Sequence, residues 1–157
     1  MYMVIQLKQY NEKYLEQLLT FHLPPEQLKF TSLPIDRLNE LKEGQYPIVI
    51  LKDDDVVGFF LLNSHQRVQE YTNNQKAMLL TALSINQSEQ GKGYAKEAML
   101  QLKSFVKKKF TICNEIILAV NHKNLAAQQL YLSVGFVDEG RKKMGPIGEQ
   151  YIMQLSI

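Results

Sequence analysis

The chain has 157 residues, about the length of one domain, and a chain of roughly this size buries about 68–70% of its unfolded surface. Its content of 45% hydrophobic and 22% charged residues is ordinary for a globular protein and argues against disorder. Eighteen basic and sixteen acidic side chains leave a formal charge of +2, which is too balanced to predict a nucleic-acid partner or an anionic membrane surface.

The cysteine content and the amino-terminal residues bear on the cellular compartment. Cys113 has no second cysteine with which to form an internal disulfide, and no apolar run of secretory type precedes the polar residues 8–13. Nowhere do about 18 uncharged apolar residues follow one another, so we expect no membrane span. We therefore expect a cytoplasmic protein.

The first elements in chain order are a short strand and a helix. Residues 3–7 predict the strand, and Asn11 follows at a position where its side chain can cap a helix. The predicted apolar face of this helix consists of Tyr14, Leu15, Leu18 and Leu19.

A second short helix follows residues 22–31, which break the helical period. Ser32 and Pro34 are typical of a helix start, and Gly44 is expected to close the helix. The side chains predicted to face inward are Ile35, Leu38 and Leu41.

From Tyr46 onward the hydrophobic period becomes that of strands. Residues 48–51 and 56–62 predict a hairpin around a turn at 53–55. The polar residues 64–76 then predict a loop.

A strand, helix and strand unit occupies the middle of the chain. The apolar residues 77–85 predict a strand covered on both faces, and 93–110 predict the most strongly amphipathic helix. Residues 115–120 predict the next strand, which a right-handed crossover makes parallel to the first.

The remaining residues predict a helix and a second hairpin. The helix spans 125–134 and ends at Gly135, and strands at 136–143 and 150–157 flank a turn at 145–148. No linker or internal repeat divides the chain, so we predict a single α/β domain, residues 1–157, on a mixed sheet.

The segment with the clearest chemical meaning lies between the strand at 77–85 and the helix that follows it. It reads Gln90-Gly91-Lys92-Gly93-Tyr94-Ala95. Glycines at a helix amino terminus expose backbone N–H groups and allow the close approach of phosphate oxygens. Helix capping explains the same glycines equally well from spacing alone.

Two other phosphate motifs do not fit this segment. A P-loop needs a glycine where Asn86 stands and a serine or threonine where Gly93 stands. The dinucleotide fingerprint needs its third glycine at Lys96, and its loop should follow the first strand of a doubly wound sheet. The segment therefore predicts a different phosphate site.

Two separate stretches resemble the signatures of the GNAT superfamily of acetyltransferases. The family's pyrophosphate motif is Gln or Arg, any two residues, Gly, any residue, then Gly or Ala, and here it is matched by Gln90, Gly93 and Ala95. The downstream signature is matched by Asn124, Ala126 or Ala127, Leu130-Tyr131 and Gly135-Phe136. About thirty residues of helix and strand separate the two, as the crossover unit requires. The predicted elements follow the family's order over essentially the whole chain.

The resemblance implies the GNAT fold, a central mixed sheet of six to seven strands flanked by about four helices, with acetyl-coenzyme A as co-substrate. The fourth and fifth strands would splay apart to hold pantetheine. The implied coenzyme-binding residues are Leu83, Ser84, Ile85, Gln90, Gly91, Lys92, Gly93, Tyr94, Ala95 and Asn124. From its place on the first helical turn, Lys96 is added as a charge-assisted contact to phosphate.

Tyr131 is the predicted catalytic residue. Amine attack on a thioester produces an oxyanion and then a thiolate, and a phenol near the sulfur can protonate the thiolate. The resemblance implies that the tyrosine of the Leu-Tyr pair faces the coenzyme sulfur. Periodicity alone favours a packed aromatic beside Ala127, Leu130 and Val134.

The sequence does not single out one general base. An alkyl amine with a pKa of about 10.4 must lose a proton before it attacks. Many family members carry a carboxylate on the fourth strand, but residues 77–85 contain none. His65, Glu70 and a water chain to the solvent are the candidates.

A metal site is not expected. His22, His65 and His122 share no ligand spacing with one another or with Cys113. Cys113 is predicted to be a small buried hydrophobe.

The predicted function is N-acetyl transfer from acetyl-coenzyme A to a primary amine, by direct attack in a ternary complex. A small amine or polyamine is the favoured acceptor, and Glu26, Asp36, Glu40 and Glu70 are the carboxylates that would face a cation. A protein N-terminal or lysine acetyltransferase and a non-catalytic acetyl-coenzyme A sensor are the alternatives. We expect a monomer or homodimer that binds neither nucleic acid nor membrane.

Overall fold

Seven strands form one mixed sheet in the computed structural model, which describes residues 4–157. The strands are β1 (Ile5–Gln9), β2 (Gln45–Lys52), β3 (Asp55–Asn63), β4 (Ala77–Ile85), β5 (Glu115–Asn121), β6 (Val137–Gly145) and β7 (Gly148–Ser156). Their order is β1-β2-β3-β4-β5-β7-β6, and β4 and β5 are parallel while the other neighbours are antiparallel. The predicted mixed sheet and its parallel pair are confirmed.

Five α-helices accompany the sheet in the described part of the chain. They are α1 (Leu15–Leu19), α2 (Pro34–Asn39), α3 (Tyr94–Leu100), α4 (Leu102–Lys109) and α5 (Leu125–Ser133). Short 3₁₀ turns lie at Glu12–Tyr14, Gln66–Glu70 and Gln87–Glu89. Between residues 4 and 157, no helix has the length and apolar character needed to cross a membrane.

The predicted helix at 93–110 is divided in two. Gln101 donates its backbone N–H to the Ala98 carbonyl, three residues back, and its side-chain amide donates to the Ile5 carbonyl of β1 at 2.6 Å. The break therefore accompanies a long-range contact with the edge strand, which the local period did not indicate.

The second predicted helix ends earlier than expected. It ends at Asn39, five residues before Gly44, and Leu41 is exposed instead of facing inward. A turn explains the early end, because Gln45 donates its N–H to the Lys42 carbonyl and accepts the Lys42 N–H through its side chain.

Other differences concern single residues at element ends. Leu19 is 56% exposed, because α1 has only five residues and ends there. The hairpin turn is one residue shorter than predicted, since Asp53 takes a left-handed φ of 53° and Asp55 already pairs with Lys52. The first strand begins at Ile5, and the predicted start at Met3 lies outside the described residues.

The strands β2, β3 and β4 are largely buried on both faces, whereas the edge strand β6 is mostly exposed. One face packs under α3, α4 and α5 through residues such as Met99, Leu102 and Tyr131. The other face packs under α1 and α2, where Leu18 lies in the same cluster as Phe59.

The parallel pair separates partway along its length. β4 and β5 pair only where Ala77–Leu79 lie beside Glu115–Ile117. On the other side of β4 the register with β3 shifts between Phe59 and Leu61, and Ala82 takes a φ of 58°. Such a bulge bends the strand, and the two parallel strands diverge beyond Leu79.

Candidate active site

A cleft of about 790 Å³ opens where β4 and β5 diverge. The amino terminus of α3 lies along one side, and α5 and the turn between β6 and β7 complete the lining. The predicted site residues that line it are Leu83, Ser84, Ile85, Gln90, Gly91, Gly93, Tyr94, Ala95, Lys96, Asn124 and Tyr131. Lys92 does not line it, and its ammonium instead contacts the Glu89 carboxylate at 3.1 Å.

The glycine segment leaves open space beside its backbone. Gly91 has a φ of 78° and Gly93 a φ of 83°, values that glycine adopts without the strain a side chain brings. A Cβ atom built on either residue meets no atom within 4 Å. Gly93 is also the N-cap of α3, so the capping and ligand-binding interpretations apply to the same residue. The segment fits a bulky anion.

The β4 segment beside the cleft has a buried side-chain polar group without a partner among the described residues. The Ser84 hydroxyl is buried and makes no hydrogen bond within the described residues. The neighbouring carbonyls are already used, since Leu83 accepts from the Thr31 hydroxyl at 3.1 Å and Ile85 accepts from the Gln90 amide at 2.7 Å. Buried polar groups normally have partners, so Ser84 fits a ligand that supplies one.

Gln90 joins the glycine segment to a distant loop. Its side chain exchanges two hydrogen bonds with Gln27, at 3.0 and 2.9 Å. Gln27, Phe30 and Thr31 line the cleft as well, and sequence reasoning missed all three. No local motif marks them, because residues 22–31 have no regular period.

The side-chain amide of Asn124 has one group that caps a helix and another that has no partner among the described residues. Its side-chain oxygen accepts the Ala127 N–H at 3.2 Å and so caps α5. Its side-chain NH₂ has no hydrogen-bond acceptor in the described part of the chain. Since Asn124 lines the cleft, this amide is a donor available to a ligand.

The ring of Tyr131 is packed in the core, while its hydroxyl has no hydrogen-bond partner among the described residues. It is 7% exposed, and its ring lies edge-on to Phe136 with the centroids 5.4 Å apart. Its hydroxyl makes no hydrogen bond to any described residue, although Tyr131 lines the cleft. Burial raises the pKa of the phenol above its usual value, so it stays protonated at neutral pH.

The two side chains suggested as general bases lie away from the cleft lining. His65 accepts the Arg67 N–H through Nδ1, and the Glu70 carboxylate lies 3.9 Å from the Lys143 ammonium. Within the described lining, the carboxylates belong to Glu26 and Glu89. Glu89 is paired with Lys92, so Glu26 is the carboxylate without an ion pair there.

Cys113 has the environment of a core residue. It is buried, and its thiol contacts the Glu115 carbonyl at 3.3 Å. Burial raises the pKa of this thiol, which disfavours a thiolate nucleophile. Among residues 4–157, no three or more His, Cys, Asp or Glu side chains are grouped so as to hold a metal ion.

A family model and a curated relative match this chain. Residues 10–136 match the model of the acetyltransferase (GNAT) family. The relative is "Uncharacterized N-acetyltransferase YbbJ" of Bacillus subtilis (strain 168), which is 47% identical over 152 residues, 95% of both chains. The chain belongs to the GNAT acetyltransferase family. The predicted class, an acetyl-coenzyme A-dependent acyltransferase, is confirmed with it.

Solved GNAT structures share the fold of this chain. The aminoglycoside acetyltransferase AAC(6')-Ib in complex with coenzyme A has a TM-score of 0.78 at 17% identity, covering 98% of this chain and 95% of that one. A chimera of the spermidine N-acetyltransferase SpeG from Vibrio cholerae and hSSAT has a TM-score of 0.70 at 19% identity, covering 97% and 94%. The GNAT fold expected from the sequence is confirmed.

Proposed function

We propose that this chain acetylates the primary amine of a small molecule by direct attack on acetyl-coenzyme A in a ternary complex. The observation that carries the proposal is the cleft between β4 and β5, with an open glycine segment at one end and the unpartnered Tyr131 hydroxyl in its lining. Structural neighbours named for aminoglycosides and spermidine support a small amine as the acceptor.

The coenzyme would lie along β4 and the start of α3. The backbone N–H groups around Gly91 and Gly93 would bind the pyrophosphate, assisted by the positive end of the helix dipole. Lys96 is exposed and lines the cleft, so its ammonium can add a charge-assisted bond. Ser84 and Asn124 would bond the pantetheine arm through their unpartnered groups.

Tyr131 would act on the departing sulfur. Bound acetyl-coenzyme A supplies a thioester carbonyl, to which the amine nitrogen forms a bond as the carbon–sulfur bond breaks. The phenol donates its proton to the sulfur, which leaves as a thiol. Because burial raises the pKa of Tyr131, the phenol carries this proton when the reaction begins.

The amine proton needs an acceptor on the other side of the reaction. Glu26 lines the cleft and is exposed, so we propose that it or a water molecule in contact with solvent takes this proton. No covalent intermediate is invoked, because Cys113 is buried outside the cleft lining.

Only one of the four carboxylates expected to face a cationic acceptor lies at the cleft. Glu26 lines it, whereas Asp36 is exposed on α2 outside the lining. Glu40 pairs with Arg37 at 3.0 Å, and Glu70 lies toward Lys143. A polyamine acceptor would therefore lack most of the counter-charges expected for it, and we propose a small amine without naming a polyamine.

The proposal is tested by release of free thiol from acetyl-coenzyme A in the presence of small amines, polyamines, aminoglycosides and peptides. We expect amine-dependent thiol release with a small amine. Release only with peptides supports the protein acetyltransferase alternative. Coenzyme binding without release by any acceptor class supports the sensor alternative.

The coenzyme site has a separate test in hydrogen exchange. We expect saturating coenzyme A to slow exchange across residues 84–96, because the ligand occupies the glycine N–H groups and stabilises the bound state. Residues 64–76, which lie mostly outside the lining, serve as the internal control. Unchanged exchange across 84–96 contradicts the site.

A further inference from the structure

A second cavity continues the cleft on the side away from the glycine segment. It has a volume of about 320 Å³. We call it the side pocket. The residues that line both it and the main cleft are Lys29, Phe30, Thr31, Arg67, Thr81 and Ala82. Thr81 and Ala82 directly precede Leu83 on β4, so the side pocket adjoins the strand expected to hold pantetheine.

The side pocket carries positive charge. Its cationic side chains are those of Lys29, Arg37 and Arg67, and no Asp or Glu lines it among the described residues. Arg37 is partly neutralised by Glu40, 3.0 Å away. Neither Lys29 nor Arg67 has an ion pair within residues 4–157.

One of these cations has an unsatisfied buried donor. The Arg37 Nε–H has no exposed surface and no hydrogen-bond acceptor among the described residues. A buried donor without a partner costs free energy, and the cost is recovered when a ligand supplies the acceptor. The unpartnered Arg37 Nε–H is a separate observation from the positive charge of the side pocket. It also indicates a ligand that accepts hydrogen bonds.

A polar network holds the floor of the pocket. The buried Asn63 donates to the Thr81 hydroxyl at 2.9 Å and accepts from the Gln45 amide at 3.0 Å. Because the Thr81 oxygen already accepts this bond, its own proton can be donated elsewhere. The lining thus offers donors and cations but no anion.

We infer that the acceptor amine carries an anionic group, a carboxylate or a phosphate, which binds in the side pocket through Arg67, Lys29 and Arg37 while the amine points toward the cleft. This inference rests on the proposed acetyl transfer and specifies its substrate class. A polycation would meet like charges in the side pocket. The carboxylate of Glu26 lies outside the side pocket and does not offset them there.

The test uses matched amines that differ in the anionic group. The pairs are L-lysine with cadaverine and glucosamine 6-phosphate with glucosamine, and spermidine is added as a polycation. Affinity is measured by calorimetry on protein saturated with coenzyme A, and thiol release is measured with acetyl-coenzyme A. The two pairs separate a carboxylate ligand from a phosphate ligand.

We expect the anionic member of at least one pair to bind about tenfold or more tightly than its partner, as a charge-assisted hydrogen bond allows. Arg67→Gln should remove most of this preference, and Arg67→Lys should keep part of it. Lys107→Gln removes one exposed charge from α4, outside both cavities, and should leave the preference unchanged. Thermal melting checks that each variant folds.

Three outcomes overturn the inference: no anionic member binds more tightly than its partner, Arg67→Gln weakens both members of the preferred pair equally, or spermidine binds more tightly than the preferred anionic amine. Failure of the proposed function looks different, because the preference and its loss in Arg67→Gln would persist while no amine released thiol.

Discussion

The two ends of the cleft are assembled in different ways. The proposed coenzyme end comes from one continuous stretch, residues 83–96, together with Asn124, and two glycines with positive φ in that stretch expose backbone to open space. The acceptor end combines residues 26–31 with Arg37, Arg67 and the turn at 146–147. Backbone contacts tolerate changes of side chain, whereas the acceptor end depends on which side chains its separate segments bring together.

Tyr131→Phe probes the point where the two ends meet, and it has the largest expected effect. The ring still packs against Phe136, so coenzyme affinity and melting temperature should change little. Loss of the proton donor should lower kcat about 100-fold, near the lower end of the range for general acid catalysis. Steady-state kinetics on the amine found by the screen measures it.

Tyr14→Phe is the matched control, because Tyr14 is equally buried but packs on the opposite face of the sheet. It should leave kcat unchanged. A Tyr131→Phe variant that turns over within about twofold of the wild type would make Tyr131 a packing residue only.

Gly93→Val tests the coenzyme end alone. Its side chain projects into the space where phosphate approaches, and the positive φ is unfavourable for a β-branched residue. Loss of one charge-assisted bond corresponds to a coenzyme affinity about 10- to 100-fold weaker. Calorimetric titration with coenzyme A measures this change.

Gly140→Val controls for backbone strain, since Gly140 has a φ of 88° and equally open surroundings on β6. Both substitutions should lower the free energy of unfolding by about 1–3 kcal/mol. If both variants bind the coenzyme as the wild type does, Gly93 serves only as a helix cap.

The pH profile separates the two proton transfers. Below the amine pKa of about 10.4, the reactive free amine increases about tenfold per pH unit, so kcat/KM should rise with pH. Burial raises the pKa of Tyr131 above the usual value of about 10, so its deprotonation should cause no fall in rate below about pH 10. A falling limb between pH 7 and 9 that disappears in Tyr131→Phe contradicts this assignment.

Gln27→Leu tests the contact between the two ends and has the smallest expected effect. It removes the paired hydrogen bonds to Gln90, whose amide keeps its bond to the Ile85 carbonyl. Because each exchanged bond contributes about 1 kcal/mol net, we expect the KM for the amine to rise a few-fold while coenzyme affinity holds. Gln75→Leu, which breaks an exposed Gln69–Gln75 bond, is the control. Equal changes in both variants would mean that the link is not specific.

The sequence by itself determined the family and the order of elements, and it supplied the residues proposed to hold the coenzyme. β4 was predicted with its observed bounds, because a continuous apolar run is a local signal of a strand buried on both faces. The glycine segment was also recognised from a local signal, since the residues of its motif follow one another in the sequence. Lys92 belongs to this segment but does not line the cleft, because its ammonium is paired with the Glu89 carboxylate. The spacing of the motif does not predict this ion pair.

Only the tertiary structure decided the acceptor end and the irregularities of the fold. Gln27 meets Gln90 across 63 residues, and Gln101 meets Ile5 across 96, so no local pattern predicts either contact. Only the packing of the turn at 65–70 decided that Arg67 lines the cleft and that His65 and Glu70 do not. Local periodicity fixes which face of an element is apolar, whereas the packing of separate segments fixes which polar side chains share a cavity.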